Sequence, residues 1–589
     1  MNKRQLLEES KELFRYLADS QIRKNWIEND IVNSNYYYNK QWNNYKDKQG
    51  LEQIGCDPIT INRIKPIIDR YLSILIKSGK RVGFLPVTNS QYHFNLANYI
   101  KNWAFNIQSQ NNHTFFSSLK CLSALSSGIG WSHFYYENNR FCYEWVNGRE
   151  MFFDPDDLSP RLENQNAIAR SYFVNSIKLK NLFPKYATEF ENMVVNNKTN
   201  QYISVEDYTT IPTDIWVNGK SIRIVELYSK KSDEYFEAVC DIQTTDQNER
   251  QIDSTYQEFE DTIFTTFNED LVKQKATGNV EIKKGTKIYK TVFCNDILLF
   301  HGPIAEQVPN QTFFPYVPMV YSRNMNGDFI GTTNYMIELQ NLWNVEISKL
   351  FHYGNSKLTL ANPKASGMDY EQFIKMYNIE SKKKRGFIQV DPKDITIVDN
   401  SNDMKGILSA LDMLNREFQN LSGLFDDFAG KPTNAESGVA IQNRINTTLN
   451  AQNPLVLAYE YMLTSEGRLM LDTLKGIENF KQVISFYNEG KQDSAVLDSN
   501  ISLLNFEVYP TTAPNFSSSI EEEKEIFNSI ITSGLADILL SSPLFLQQEG
   551  MGEVNSYKLS SEYKRILIEK MQLQQGILPN SEQNQSNVE

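Results

Sequence analysis

The sequence predicts an α+β fold that contains more than one module. Apolar residues recur every three or four positions near the N-terminus and again after residue 332, which indicates amphipathic helices. Between these regions aromatic and polar residues alternate in short runs, which indicates strands. The chain has 589 residues, of which 40% are hydrophobic and 12% are aromatic. It is therefore long enough for two or more modules with sizeable cores.

Helices are predicted first along the chain. The first covers residues 1–30, and the second covers 62–76. Pro66 lies in the first turn of the second helix, where backbone N–H groups form no hydrogen bond within the helix, so the absence of one costs little. Two further helices are predicted over 92–106 and 115–126.

Strands are predicted next, because the period changes from three and four to two. Residues 131–136 and 140–146 alternate around Glu137-Asn138-Asn139, which predicts a hairpin. Further strands are predicted over 167–174, 222–228, 234–240, 287–293 and 296–300. The charged stretch 244–281 between them is predicted to be partly helical.

Two long helices are predicted over residues 332–352 and 402–424, with a compact segment between them. Apolar positions on the second helix repeat in steps of four and three, a narrow stripe typical of helix-to-helix packing. Neighbouring subunits or the helix's own domain could cover this stripe, and the sequence leaves both open. The predicted packing residues are Leu339, Leu342 and Trp343 on the first helix and Ile407, Leu411, Leu414, Phe418 and Leu421 on the second.

The remaining chain is predicted to return to mixed structure. A helix covers 438–474 with a break at Pro454, and strands follow near 482–487 and 503–509. Helical sequence begins again with the capping pattern at 518–521. Residues after 579 are rich in Asn, Gln and Ser and are predicted to be disordered.

A basic run lies in the segment between the two long helices. It consists of Lys382, Lys383, Lys384 and Arg385. Such a run can contact DNA phosphates or an acidic partner, or it can be a solvated loop.

An acidic loop follows the second long helix. Two acids, a glycine and a proline between helical segments predict an exposed loop that faces a lumen or only joins helices. Its candidate residues are Phe425, Asp426, Asp427, Phe428 and Lys431.

The charge balance argues against a protein that binds nucleic acid tightly over its whole surface. The net charge is −13, and neutralising phosphates requires Lys and Arg. The five cysteines are far apart and form no C-x-x-C pair, which predicts reduced thiols and a cytosolic setting. No signal peptide and no membrane-spanning segment are predicted.

No catalytic site, cofactor site or metal site is predicted. The five histidines are scattered, and the Gly-Lys pairs at 219–220 and 430–431 both lack the spacing of a phosphate-binding loop. Asp154, Asp156 and Asp157 could hold a divalent ion, but acids beside Pro155 more often form a turn. An enzyme is therefore disfavoured.

Several stretches in a fixed order resemble one known family. They are Tyr37-Tyr38-Asn39-Lys40-Gln41-Trp42, the segment 62–69, Gly128-Ile129-Gly130-Trp131, Phe153-Asp154-Pro155, 166–170, 314–318, Gln340-Asn341 with Asn344, and 436–441. With these residues the chain resembles the portal proteins of tailed phages, and in particular those of short-tailed, P22-like phages.

The resemblance implies a ring of twelve subunits at one capsid vertex. Double-stranded DNA would enter and leave through the axial channel without sequence-specific contacts. The implied partners are the terminase large subunit, a head–tail adaptor, and the major capsid and scaffold proteins. The implied location is the virion, with assembly in the host cytoplasm, and the resemblance implies neither ATPase activity nor a cofactor.

The resemblance also implies a division of the chain into a mixed α/β wing, a two-helix stem, a small α/β clip and a helical crown. The implied segments are wing 1–331, descending stem helix 332–352, clip 353–401, ascending stem helix 402–424, tunnel loop 425–437, wing continuation 438–515, crown 516–578 and disordered tail 579–589. The basic run then belongs to the clip, and the acidic loop belongs to the tunnel loop.

Two other functions stay open at this point. One is a different structural part of the virion, such as a tail or connector protein. The other is a phage DNA-processing enzyme, which would need a nucleotide or metal site.

Overall fold

The computed structural model describes most of the chain as far as residue 512. The described ranges are 2–42, 47–53, 55–77, 80–87, 91–196, 214–243, 259–267, 269–277, 279–304, 314–355, 358–361, 369–380, 395–398, 401–423, 453–477, 480–488, 491–498 and 506–512. The basic run 382–385, the acidic loop 425–437 and the predicted crown lie outside these ranges.

Helices and strands are both abundant, so the predicted α+β class is confirmed. The helices are α1 (Lys3–Ala18), α2 (Gln21–Tyr37), α3 (Asp47–Gln53), α4 (Ile64–Lys77), α5 (Gln91–Gln110), α6 (His113–Ser127), α7 (Ser176–Leu182), α8 (Ala187–Asn196), α9 (Glu269–Lys275), α10 (Thr332–Asn355), α11 (Tyr370–Glu380), α12 (Ser401–Ser422) and α13 (Asn453–Lys475). No helix in the described ranges is both long and apolar enough to cross a bilayer.

The strands lie mainly between residues 80 and 320 and again after residue 480. They are β1 (Lys80–Pro86), β2 (Ile129–Glu137), β3 (Arg140–Val146), β4 (Met151–Phe153), β5 (Ala167–Asn175), β6 (Val217–Asn218), β7 (Ser221–Gln243), β8 (Phe259–Thr266), β9 (Val280–Cys294), β10 (Ile297–Pro303), β11 (Tyr316–Val320), β12 (Leu358–Ala361), β13 (Ile395–Val398), β14 (Lys481–Asn488), β15 (Lys491–Asp498) and β16 (Phe506–Thr512).

The chain divides into two compact units. The first unit comprises residues 1–28, 71–330 and 454–589, and the second comprises 29–70 and 331–453. Each unit therefore draws on segments that are far apart in the sequence.

The largest sheet of the first unit is antiparallel and is built around β7. Its strand order is β10-β9-β7-β5-β4, with β6 and β8 also paired to β7. Helix α1 covers one face, where Phe14 makes edge-to-face contacts with Phe152 and Phe293 at 5.0 and 6.2 Å between ring centroids. Aromatic pairs of this geometry add to the burial of apolar area, so α1 is anchored in the core of this sheet.

A second sheet of the first unit has the order β11-β2-β3. Asn138 and Asn139 both have positive φ at the tip of the β2–β3 hairpin, which is the backbone that a tight two-residue turn requires. The hairpin predicted from the alternating residues is therefore present. Helix α6 lies so close to β2 that a Cβ on Gly130 would stand 2.0 Å from the carbonyl oxygen of Lys120.

The C-terminal part of the described chain returns to the first unit. Strand β16 pairs antiparallel with β1. Helix α13 packs closely on this pair, because a Cβ on Gly467 would lie 2.3 Å from Val82 and 2.6 Å from Val508. The pairing of β16 with β1 is a long-range contact that local sequence patterns do not predict.

The second unit contains two long helices with a compact segment between them. The sequence predicted helices over 332–352 and 402–424, and the structure has α10 at Thr332–Asn355 and α12 at Ser401–Ser422. Between them lie α11 and the antiparallel pair β12–β13. Trp343 on α10 meets Phe418 on α12 edge to face, at 6.4 Å between ring centroids.

Several predicted elements differ from the observed ones. The predicted first helix is two helices, because α1 ends with a C-cap at Asp19 and α2 begins at Gln21. Helix α13 begins at Asn453, so Pro454 lies in its first turn, where the missing N–H costs little. The part of the predicted 438–474 helix that precedes Asn453 lies outside the described residues. The predicted strands 222–228 and 234–240 are parts of the single strand β7.

Candidate functional site

Helix α10 presents a line of buried polar side chains within the second unit. Gln340, Asn344 and Ser348 are four residues apart and therefore lie on one face of the helix. All three are buried. A buried polar group costs free energy unless it is hydrogen-bonded. The hydrogen-bond partners of these three side chains therefore show which segments α10 packs against.

The partners are main-chain groups of the segment between α3 and α4. Gln340 Nε2 donates to the Ile61 carbonyl at 3.0 Å, and Gln340 Oε1 accepts from the Arg63 backbone N–H at 2.8 Å. Ser348 Oγ accepts from the Ile59 backbone N–H at 2.8 Å. Side chains of α10 thus supply hydrogen-bond partners to the main chain of an irregular segment that does not pair with a strand.

A chain of side-chain amides extends this network. Gln340 Nε2 also donates to Asn344 Oδ1 at 2.8 Å, and Asn344 Nδ2 donates to Gln41 Oε1 at 2.6 Å. Gln41 Nε2 in turn donates to the Tyr36 carbonyl at 2.9 Å. Each amide both donates and accepts, so the network specifies one position of α10 along these segments.

Asn62 and Tyr36 complete the arrangement. Asn62 Oδ1 accepts from the backbone N–H groups of Ile64 and Lys65 at 3.0 Å and so caps α4, while Asn62 Nδ2 donates to the Tyr36 carbonyl at 2.8 Å. The Tyr36 hydroxyl donates to Asn341 Oδ1 at 2.5 Å. Burial raises the pKa of Tyr36, although Asn341 opposes the rise, so the hydroxyl stays protonated as a donor.

A cation–aromatic contact lies beside the amides. The Arg63 guanidinium stands 4.2 Å from the ring centroid of Trp343. Burial lowers the pKa of Arg63. Three stretches that carry the sequence resemblance, 37–42, 62–69 and 340–344, therefore meet in one network, and sequence reasoning did not predict that they touch.

The apolar face of α12 is covered within a single copy of the chain. The predicted packing residues Ile407, Leu411, Leu414 and Phe418 are buried, as is Trp343 on α10. Leu339 is half-buried. Leu342 and Leu421 instead remain 52% and 53% exposed. Most of the apolar stripe is thus covered by the same copy of the chain. Contact with a neighbouring subunit stays a prediction for Leu342 and Leu421.

A buried ionic cluster joins three elements of the first unit. Glu466 on α13 accepts from Lys120 Nζ at 3.0 Å, the Tyr143 hydroxyl at 2.7 Å and His113 Nε2 at 2.9 Å. Burial alone would raise the pKa of Glu466, but the charge of Lys120 and the bonds from His113 and Tyr143 outweigh burial and hold the pKa well below its usual range. The carboxylate is therefore ionised and neutralised inside the protein.

Sequence reasoning missed this cluster. Lys120 lies on the same helix as the buried residues Cys121, Ala124 and Leu125, and a lysine among core positions was the available signal. The partner Glu466 is 346 residues away in the chain, so its identity could not be read from local spacing.

The acids considered as a metal site form a turn. Asp154 Oδ1 accepts from the Asp156 backbone N–H at 3.1 Å. Asp157 accepts from the Ser159 backbone N–H and from Gln165 Nε2, both at 2.8 Å. Within the described ranges, no group of three or more His, Cys, Asp or Glu side chains is arranged to hold a metal ion.

The remaining predicted sites fall outside the described residues. They are Lys382, Lys383, Lys384 and Arg385 of the basic run and Phe425, Asp426, Asp427, Phe428 and Lys431 of the acidic loop. Their roles stay predictions.

Comparison with known proteins gives one family. The family described as "Phage P22-like portal protein" matches residues 13–542. No curated protein matches the chain. The matched range includes all of α2 to α13 and every described strand.

Proposed function

Because this chain belongs to the phage P22-like portal proteins, we propose that its copies close into a ring around a DNA channel. The match over residues 13–542 is the observation that carries this function. The family is structural rather than catalytic, and its place is the capsid vertex of the virion. The ring, its number of subunits and its docking surfaces are the proposed part.

Exposed apolar side chains on the paired helices support the ring. Tyr335 and Leu342 on α10 and Leu408, Met413 and Leu421 on α12 are all exposed in a single copy. Apolar residues that cluster on the outside of a subunit often mark a contact with another protein. We assign these residues to contacts between neighbouring copies and α10 and α12 to the stem.

The amide network supports the same assignment. A helix that packs between copies in a ring must keep one axial position, since a slip would misalign every contact around the ring. Buried polar side chains restrict such slips more sharply than apolar ones, because any shift leaves donors without acceptors. Gln340, Asn344 and Ser348 give α10 this property.

The charge of the chain suits a channel rather than a clamp. The chain has 72 acidic against 59 basic residues, so its net charge of −13 disfavours extensive contacts with phosphates. We propose that DNA passes with sparse contacts that do not depend on sequence. The basic run 382–385 is the proposed docking site for the terminase large subunit and later for a head–tail adaptor, while capsid and scaffold proteins surround the ring.

Electron microscopy of the purified full-length protein tests the proposal. We expect class averages viewed down the axis to show a closed annulus with a central hole, a dodecamer if the resemblance holds in detail. A stable monomer that never forms rings, even when concentrated or co-expressed with scaffold protein, would exclude it. Nuclease or nucleotide hydrolysis activity in the same preparation would favour the DNA-processing alternative.

A further inference from the structure

A polar cleft of about 890 Å³ opens in the first unit, and the helices assigned to the stem contribute no residue to its lining. Its walls are the end of α5, the tip of the β2–β3 hairpin, and residues 477 and 480–482. The lining residues are Ile107, Gln110, Asn111, Tyr136, Asn139, Arg140, Phe141, Cys142, Ile477, Phe480, Lys481 and Gln482.

The charges in this cleft are of one sign. Arg140 on the hairpin and Lys481 on β14 are exposed and lie on different walls. Within the described part of the chain, neither side chain forms an ion pair or a hydrogen bond, although Glu137 is the register partner of Arg140. None of the lining residues is acidic, whereas the whole chain has 72 acidic against 59 basic residues.

The cleft is held in shape by contacts beneath its surface. Phe141 packs against Trp103 at 5.0 Å and Phe480 at 6.1 Å between ring centroids. Asn111 Nδ2 donates to the Phe141 carbonyl at 3.0 Å, and Asn111 Oδ1 accepts from the Tyr143 backbone N–H at 3.2 Å. These bonds tie the outer edge of β3 to the end of α5. A preformed site loses less conformational entropy on binding.

The number of the cations and the polar groups beside them favour one class of ligand. Duplex DNA is held by several phosphate contacts at once, and two cations supply few of them. Arg140 and Lys481 lie on different walls of the cleft, so an extended ligand can meet both, and competition with inorganic phosphate tests the single-phosphate alternative. Gln110 and Asn139, both exposed, add amide donors and acceptors that match peptide groups.

We propose that this cleft binds a segment of a partner polypeptide that carries at least two carboxylate side chains, one for Arg140 and one for Lys481. The proposal does not depend on the ring, because every lining residue belongs to the first unit of one copy. It adds a protein-docking site separate from the basic run 382–385.

Fluorescence anisotropy with the purified full-length protein tests the proposal. The probe is a fluorescein-labelled octapeptide of alternating Glu and Ala, and the matched probe replaces each Glu by Gln. The variant is Arg140→Gln with Lys481→Gln. The control, Lys178→Gln with Lys220→Gln, removes the same charge from exposed positions outside the cleft.

We expect the Glu peptide to bind, the Gln peptide to bind at least about tenfold more weakly, and the cleft variant to lose about tenfold or more in affinity for the Glu peptide. The control should change affinity by less than about twofold, because it alters only the general charge. Hydrogen exchange should slow at residues 139–142 and 480–482 when the Glu peptide is added.

Three results would overturn the proposal. The first is equal binding of the Glu and Gln peptides. The second is unchanged binding by the cleft variant. The third is displacement of the Glu peptide by inorganic phosphate or by a short DNA duplex at the same concentration, which would assign the cleft to phosphate instead of polypeptide.

Discussion

At the scale of single residues, Glu466 shows most clearly how this protein keeps charge in its interior. Its side chain is 3% exposed, and that of its partner Lys120 is fully buried. Taking two charges out of water is costly, and the pair is tolerated because Ser132, Tyr143 and His113 supply further hydrogen bonds. Removing one partner is therefore far more harmful than the net contribution of the pair suggests.

We expect Glu466→Gln to lower the free energy of unfolding by about 3–5 kcal/mol, because Lys120 keeps a charge without a counter-charge. Denaturant titration followed by tryptophan fluorescence measures the loss. Because folding lowers the pKa of Glu466, the stabilising contribution of the native carboxylate is present above about pH 4 and declines as the pH falls further.

The exposed pair of Asp412 and Arg416, 2.7 Å apart on α12, provides the control for this prediction. Asp412→Asn should cost less than about 0.5 kcal/mol, because water and salt screen exposed ion pairs. Equal losses in Glu466→Gln and Asp412→Asn would show that burial of Glu466 does not decide its effect.

The ionised carboxylate of Asp472, near the end of α13, should lower the stability of the folded state, whereas that of Glu466 raises it. Burial raises the pKa of Asp472 to about 6, although Lys475 and Arg468 oppose the rise. The native state then holds a proton between about pH 4 and pH 6 that the unfolded state has released, so stability falls as pH rises through this window. We expect Asp472→Asn to raise the free energy of unfolding by about 1–3 kcal/mol at pH 7.5 and to have little effect near pH 4.

Denaturant titrations at the two pH values check the Asp472 prediction. Asp412→Asn, whose carboxylate is exposed, is again the control and should change the free energy of unfolding by less than about 0.5 kcal/mol. A gain from Asp472→Asn that is the same at pH 4 and pH 7.5 would contradict the raised pKa.

At the scale of elements, α10 is held by its amides on one side and by α12 on the other. Asn344→Ala should lower the free energy of unfolding by about 1–3 kcal/mol, because it removes the hydrogen bonds of Asn344 to Gln41 Oε1 and to Gln340 Nε2. Glu338→Ala, on an exposed position of the same helix, should change stability by only a few tenths of a kcal/mol. Matching losses in the two variants would argue against the amide network as a determinant of the position of α10.

Two leucines of α12, Leu421 and Leu414, allow subunit folding to be tested separately from ring assembly. Leu421 is exposed, so Leu421→Asp should leave the subunit folded but weaken the ring by about 1.5–3 kcal/mol per contact. Leu414 is buried, so Leu414→Asp should destabilise the subunit itself and prevent rings for that reason. Sedimentation gives the oligomer distribution, and circular dichroism gives the folded state. Normal rings from Leu421→Asp would remove this residue from the proposed interface.

Comparison of sequence and structure is most instructive at these two helices. Periodicity alone predicted both long helices and the apolar stripe, since amphipathic spacing reflects neighbours one turn away. It did not predict which stripe residues the same copy would cover. Trp343 and Phe418 meet inside the unit, whereas Leu342 and Leu421 stay about half exposed among the described residues, and that outcome depends on how α10 and α12 cross.

At the scale of the whole molecule, the basic run should matter for docking and not for assembly. Charge reversal of Lys382, Lys383, Lys384 and Arg385 to Glu should leave rings intact and lower the yield of infectious phage by about tenfold or more, because an acidic partner would be repelled. Microscopy of purified rings and plaque counts measure the two effects.

A matched variant reverses four exposed lysines in the first unit, namely Lys3, Lys178, Lys220 and Lys284. It should retain most of the yield. Normal phage yield from the 382–385 variant would exclude a docking role for this run.

The sequence by itself determined the α+β class, the two long helices with a compact segment between them, and the motifs that resemble portal proteins. Those features depend on neighbours along the chain or on residue identity. Only the tertiary structure decided that Gln41 bonds Asn344 across 303 residues, that Lys120 pairs with Glu466 across 346, and that β16 closes on β1. Such pairings depend on how distant segments pack, because a polar side chain buried by that packing must find its partner in whichever segment lies against it.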